Sequence, residues 1–241
     1  MNREIKRILM EITASISRLK DSKCLFYHDL HDIDRYTSMS TPLSLFESHI
    51  SLIRNLGFEI VHDINNKHNQ IEITFDDGFQ GIYQNINLIN KLQVPITLFV
   101  STSFIDQDNF LSRSQIRELH QNPLVKIASH THSHLDLTSL SEEGIRDECL
   151  ISKNILEDIC SDHIDSFCYP KGYFNKKVIY IASSFYKKQY SSIPGSFYKE
   201  VYKSVKHRSL TQFLTLSEIK TVLHGGDNIF DMWYRLKHFR R

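Results

Sequence analysis

The sequence has no excess of either charge. Its 29 Lys and Arg face 28 Asp and Glu, for a formal net charge of +1 with the histidines neutral. That removes the electrostatic argument for a nucleic acid or other polyanionic partner. Long apolar runs are missing as well, and none approaches the roughly 18 residues that a membrane span needs. Nor does the start read as a secretory leader: residues 1–20 read as an amphipathic helix with Ile5, Ile8, Leu9, Ile12 and Ile16 on one face. Cysteine is sparse, and Cys24, Cys149, Cys160 and Cys168 form no CxxC pair. Most sit in apolar runs, as expected of reduced core thiols in a cytoplasmic protein. With 8 glycines and 5 prolines in 241 residues there is no Gly/Ser-rich or Pro-rich linker, and no internal repeat is visible. A single domain over residues 1–241 is expected, closing with a helical tail over 216–241.

What the chain does have is alternation. Strand-like apolar runs fall at Cys24–Tyr27, Ile71–Phe75, Ile96–Val100, Val125–Ala128, Ser166–Tyr169 and Tyr202–Val205. Helix-like periods lie between them. Leu43–Leu56 carries Leu45, Phe46, Ile50, Ile53 and Leu56 at helical spacing, and Phe79–Leu92 runs similarly. Ser141 is placed to cap a helix whose core face carries Ile145, Cys149, Leu156 and Ile159. Strand then helix, repeated, predicts a parallel sheet with crossover helices, at a length that suits one α/β barrel. In such barrels the chemistry sits on loops after the strand C-termini. Here those positions hold the polar clusters: His28 after Tyr27, Asp76-Asp77-Gly78 after Phe75, and Ser129-His130-Thr131-His132-Ser133-His134 after Ala128.

Thr74-Phe75-Asp76-Asp77-Gly78 sets two carboxylates side by side at a strand end. Neighbours in an extended segment point to opposite sides, so one carboxylate can hold a metal while the other stays free as a base. A plain Asp-Asp-Gly turn is the unremarkable alternative. His130 and His134 stand at i, i+4, which on a helical turn puts two imidazoles on one side to chelate a divalent metal. His132 would then point away, in a structural role. With an Asp at a neighbouring strand end, the two histidines make a three-ligand site with an open position, the pattern of a catalytic metal.

These two segments, some fifty residues apart, together resemble the first two motifs of the polysaccharide deacetylases, the NodB-homology or family 4 carbohydrate esterases. The resemblance covers roughly Cys24 to Ser192. It implies a distorted (β/α)7 barrel and metal-dependent removal of acetyl groups from N-acetylhexosamines. Matched by position, Asp76 corresponds to the catalytic base, and Asp77, His130 and His134 to the metal ligands. A third segment, Phe167-Cys168-Tyr169-Pro170-Lys171-Gly172, is similar to the Tyr-Pro-x-Gly motif of relatives acting on poly-N-acetylglucosamine, with Tyr169, Pro170 and Gly172 implied as a wall of the substrate pocket. Cys168 stands where many members have an arginine that orients the base, and a thiol cannot donate a charged, bidentate hydrogen bond. The family's general acid has two matches here. Leu25-Phe26-Tyr27-His28 resembles the N-terminal Tyr-His of the circularly permuted poly-N-acetylglucosamine branch. Val222-Leu223-His224-Gly225-Gly226 fits the letters but closes a helix-like stretch. His28 is the choice.

The resemblance therefore implies one divalent metal, with zinc suited to two imidazoles and a carboxylate. The expected substrate is an N-acetylated sugar or glycan precursor of surface polysaccharide biosynthesis. Two rivals stand beside this reading. A non-haem iron oxygenase also uses two histidines and a carboxylate, but it predicts a jelly-roll-like β fold. A catalytically inactive barrel that binds carbohydrate is the other.

Overall fold

The computed structural model describes residues 3–16, 20–199, 202 and 205–239. In chain order the elements are α1 (Arg3–Ile16), β1 (Lys23–Tyr27), β2 (Asp29–His31), β3 (Ser40–Pro42), α2 (Leu43–Asn55), β4 (Glu59–Ile60) and β5 (Gln70–Phe75). Then come α3 (Gly81–Gln84), α4 (Ile86–Leu92), β6 (Ile96–Val100), α5 (Arg113–His120), β7 (Val125–Ser129), α6 (Glu142–Cys160), β8 (Ser166–Cys168) and α7 (Lys176–Ala182). The chain continues through β9 (Lys188–Tyr190), β10 (Val205–Lys206), β11 (Arg208–Leu210), α8 (Leu216–Leu223) and α9 (Asp231–His238).

The main sheet runs β10-β9-β8-β7-β6-β5-β1-β11, with β4 paired beside β5, and every pairing in it is parallel. Strands buried on both faces need no polar alternation, and β1 (KCLFY), β5 (QIEITF) and β6 (ITLFV) are buried at every position. One face of β1 and β5 turns outward to α2, where the rings of Tyr27, Phe46 and Phe75 lie 5.3–5.8 Å apart. Burying each ring contributes roughly 1.5–3 kcal/mol. The other face packs a smaller cluster of Cys24, Phe99, Ala128, Cys168 and Tyr190. Among the described residues the sheet curls but does not close: β10 and β11 are both edges, although only His207 separates them in sequence. The Arg208 N–H donates to the Ile193 carbonyl beyond β9 and so bridges that seam, while the Ser191 N–H, donating to the Lys206 carbonyl, extends the β9–β10 pairing.

Helix ends follow local chemistry. Ser112 with Gln115 and Thr215 with Glu218 form capping boxes on α5 and α8, and the Ser141 side chain accepts from Gly144 N–H as expected. Two expectations need correcting. The helix expected over Phe79–Leu92 is two, broken at Asn85, whose side-chain amide donates to the Gly81 carbonyl at 2.8 Å and to the Leu30 carbonyl at 3.3 Å. A side chain that competes for backbone acceptors favours such a break. The strand expected at Tyr202–Val205 is Val205–Lys206, part of the expected stretch lying outside the described residues. The amphipathic helix expected at the start is α1, on which Leu9 packs against the core beside buried Met10 while Ile5, Ile8, Ile12 and Ile16 are exposed.

Candidate active site

The polar clusters meet at the C-terminal end of the sheet. The Asp76 N–H donates to the Tyr27 carbonyl at 3.0 Å, and the His130 N–H to the Val100 carbonyl at 2.9 Å, so His28, Asp76 and His130 follow strand ends that are tied together. Asp77 has φ of 75°, a left-handed conformation unusual for a side-chain-bearing residue, and Gly78 follows at 87°. The two carboxylates do part company as expected, but through this turn rather than through extended backbone.

Asp76 faces Arg208 of β11. The guanidinium donates Nη1 to Asp76 Oδ1 at 2.7 Å and Nη2 to Oδ2 at 2.8 Å. Its other N–H groups go to Thr74 Oγ1, Cys168 Sγ and the Ser191 carbonyl, which accounts for all five donors. Both side chains are buried. Burial pushes the Asp76 pKa up, but the Arg208 charge and hydrogen bonds outweigh it and hold the carboxyl below its ordinary value. Asp76 is thus an ionised carboxylate at neutral pH.

Asp77 turns the other way. Its Oδ1 lies 3.4 Å from His130 Nε2 and 3.2 Å from His134 Nε2. Burial opposes its charge, yet the two imidazoles keep its pKa well below the usual carboxylate range. The i, i+4 spacing acts here without a helix: residues 130–136 form an irregular turn with Thr131 at φ 70° and His134 at φ 55°. The His134 N–H donates to Thr131 Oγ1, and buried Glu148 of α6 accepts from the N–H groups of His132 and Ser133 at 2.9 and 2.8 Å. The His132 ring bonds to Thr102 Oγ1, away from the cluster.

These residues fit a metal. His130 Nδ1 meets the Cys168 carbonyl at 2.9 Å, a contact that requires a proton on Nδ1 and leaves Nε2 as the nitrogen facing Asp77. Asp77 Oδ1 is buried with no hydrogen bond of good geometry. Ligand atoms of Asp77, His130 and His134 all lie within 4.8 Å of one another. Asp76, His130 and Cys168 meet the same limit. Their chemistry is poorer, because Arg208 occupies both Asp76 oxygens, while burial and then the Asp76 charge raise the Cys168 pKa and keep it a thiol.

His28 bends off β1 with Nδ1 2.6 Å from Gln212 Oε1, just past β11, and its charge is felt at both carboxylates. His224 instead ends α8: its Nδ1 bonds to the Lys220 carbonyl, and Gly225 follows at φ 79°. The third motif departs from expectation. The Tyr169 ring is fully buried, stacked on Phe174 and edge-on to Phe167, with its hydroxyl donated to Gln189. It belongs to the core rather than to a pocket wall, because the strand alternation turns it outward. Its N–H is taken by the Tyr190 carbonyl, so it is not free for an oxyanion. Pro170 is buried in the turn that follows. Gly172 has φ of 71°, and a Cβ there would come within 2.7 Å of His238 and 2.8 Å of Ser192, so turn and close approach both require glycine.

Arg208 and Gln212 are the residues that sequence reasoning missed. Their signal is faint, a charged residue opening a three-residue strand and an amide just beyond it.

Fold and site together define a curled, open parallel α/β sheet with carboxylate and imidazole groups at its strand ends. The chain belongs to the polysaccharide deacetylase family, whose family description matches residues 63–189, more than half of it. YxkH of Bacillus subtilis, which bears the family's name, is 25% identical over 163 residues, covering 63% of this chain and 58% of that protein. The poly-beta-1,6-N-acetyl-D-glucosamine N-deacetylase of Staphylococcus aureus is 32% identical over 78 residues, 30% of this chain and 26% of that one. The chain thus spans little more than half the length of the first of these relatives and about a quarter of the second. In solved structures, a polysaccharide deacetylase from Bacillus cereus matches with a TM-score of 0.75 at 22% identity, over 85% of this chain and 69% of that one. IcaB from Ammonifex degensii matches at 0.74 and 16%, over 86% and 98%. At these identities the likeness is one of fold.

Proposed function

We propose that this chain is a metal-dependent carbohydrate N-deacetylase acting on an N-acetylhexosamine of a surface-glycan precursor in the cytoplasm. The carrying observation is the separation of two adjacent carboxylates, Asp76 clamped by Arg208 and Asp77 set against two imidazole nitrogens. A divalent ion held by Asp77, His130 and His134, with zinc suited to that donor set, would supply Lewis acidity and lower the pKa of water. Asp76, kept ionised, takes a proton from the attacking water. The water oxygen bonds to the acetyl carbon, the C–N bond breaks, and protonated His28 gives its proton to the leaving amine. Gln212, accepting from His28 Nδ1, leaves Nε2 as the nitrogen that carries this proton. Products are acetate and a free amine. The family membership and the relatives' names support an N-acetylated glycan, and four buried, unpaired thiols suit a reducing compartment. The inactive-barrel reading drew on Cys168 standing in place of an arginine, and Arg208 removes that support.

Acetate release from a panel of N-acetylated sugars, read beside elemental analysis, tests this. Turnover should vanish on chelation and return with a divalent ion. Asp76→Asn should keep the ion and lose about 10²–10⁴-fold in rate, Asp77→Asn should lose both, and His132→Ala should keep the ion. Release of the ion by Asp76→Asn as complete as by Asp77→Asn would show the two roles to be misassigned.

A further inference from the structure

Two helices at one end of the molecule turn apolar faces outward. On α1, Met10 and Leu9 pack against the body, while Ile5, Ile8, Ile12 and Ile16 form a separate exposed stripe, Ile16 to 76%. On α9, His238 is buried and Tyr234 packs on the core, while Met232, Trp233 and Leu236 face out, Leu236 to 79%; exposed Ile229 precedes them. Both helices meet the turn Gly226–Phe230, which α1 packs along and which leads directly into α9. Lys6 ties them further, donating to the Tyr234 hydroxyl at 3.3 Å and lying over the rings of Phe230 and Tyr234. A cavity of about 510 Å³ shares these walls, bounded by α1, α8 and α9, with Phe26 and Leu210 beneath.

The charge of these segments sets their occupant. Residues 1–20 hold five Lys and Arg against two Glu, and residues 231–241 hold four against one Asp. By sequence each is net +3 in a chain whose total is +1, so the rest is net acidic, and the described parts of both helices, 3–16 and 231–239, are net +1 each. Arg7 on α1 is half exposed, and Lys237 flanks the exposed Trp233. A second copy docking by the same face would bring like charges together. An anionic surface with an apolar interior satisfies both features, and tryptophan is suited to the headgroup level. No helix among the described residues is long and apolar enough to cross a membrane. We infer that the α1–α9 face docks on an anionic lipid bilayer, lying in its interface. The inference stands apart from the deacetylase reading, since binding is measured without turnover.

Flotation of the full chain with phosphatidylcholine vesicles, with and without phosphatidylglycerol, tests it. Trp233, the chain's only tryptophan, reports through its emission. The expected result is binding at least about tenfold tighter to the anionic vesicles, weakened by salt, with a blue shift of Trp233. Ile12→Ser and Leu236→Ser should each weaken it by roughly tenfold, at unchanged thermal unfolding, and Arg7→Glu should act chiefly on the anionic vesicles. Failure to float with anionic vesicles at low salt overturns the inference. So does binding indifferent to phosphatidylglycerol and salt, parent-like binding by both serine variants, or a dimer in lipid-free solution that already shields Trp233.

Discussion

Arg208 does at residue scale what the third motif withholds. The small Cys168 leaves room at the head of β8, and a guanidinium from β11 enters across the barrel to bind both oxygens of Asp76. Removing one partner of a buried ion pair leaves the other uncompensated, so Arg208→Met should destabilise the fold by about 3–5 kcal/mol. Arg208→Lys keeps the charge but not the fork. Because Arg208 lowers the Asp76 pKa, weakening it raises that pKa, and the base is protonated earlier as pH falls. The acid limb of kcat/KM should therefore move to higher pH in a folded Arg208→Lys variant. An unmoved acid limb in the pH–rate profile would show that Arg208 does not tune the base. The pairing could not be read from sequence, since β11 and β5 lie far apart along the chain and come together only by flanking β1 on its two sides.

Among elements, β1, β5, β6, β7 and β8 were legible because each is a short apolar run between turn residues, and their parallel order followed from the intervening helices. Loop conformation was not. The His130–His134 pair converges because Thr131 and His134 adopt left-handed backbone and Glu148 braces the turn, none of which a spacing encodes. The assignment of His28 over His224 is testable at this scale. His28 leaves a strand that is bonded to the Asp76 backbone, whereas His224 caps a helix. His28→Ala should keep its metal, lose most turnover and lose the high-pH limb of the rate profile, since a protonated imidazole serves only the leaving amine. His224→Ala should stay within a few-fold. Kinetics in which only the His224 variant is crippled would reverse the choice.

The whole molecule carries one further consequence, at the seam where the sheet stays open. His207 sits between the edge strands β10 and β11, 1% exposed, and neither ring nitrogen has a hydrogen-bond partner among the described residues. Burial lowers its pKa to about 4, against the pull of Asp231 and with the help of Arg235, Lys23 and Lys199. An unfolded histidine titrates near 6.5. Between those values the unfolded chain binds a proton that the folded chain refuses, so stability rises with pH through this window and is lost as pH falls through it. A gap of this size corresponds to roughly 3 kcal/mol once both steps are passed. His207→Asn should remove that part of the acid sensitivity. The parent and the variant, unfolded in urea near neutral pH and again toward pH 4, should differ by roughly 2–3 kcal/mol in what they lose. Parallel losses in the two proteins would mean that the seam opens to water before His207 titrates, and that its ring is not held neutral by the fold.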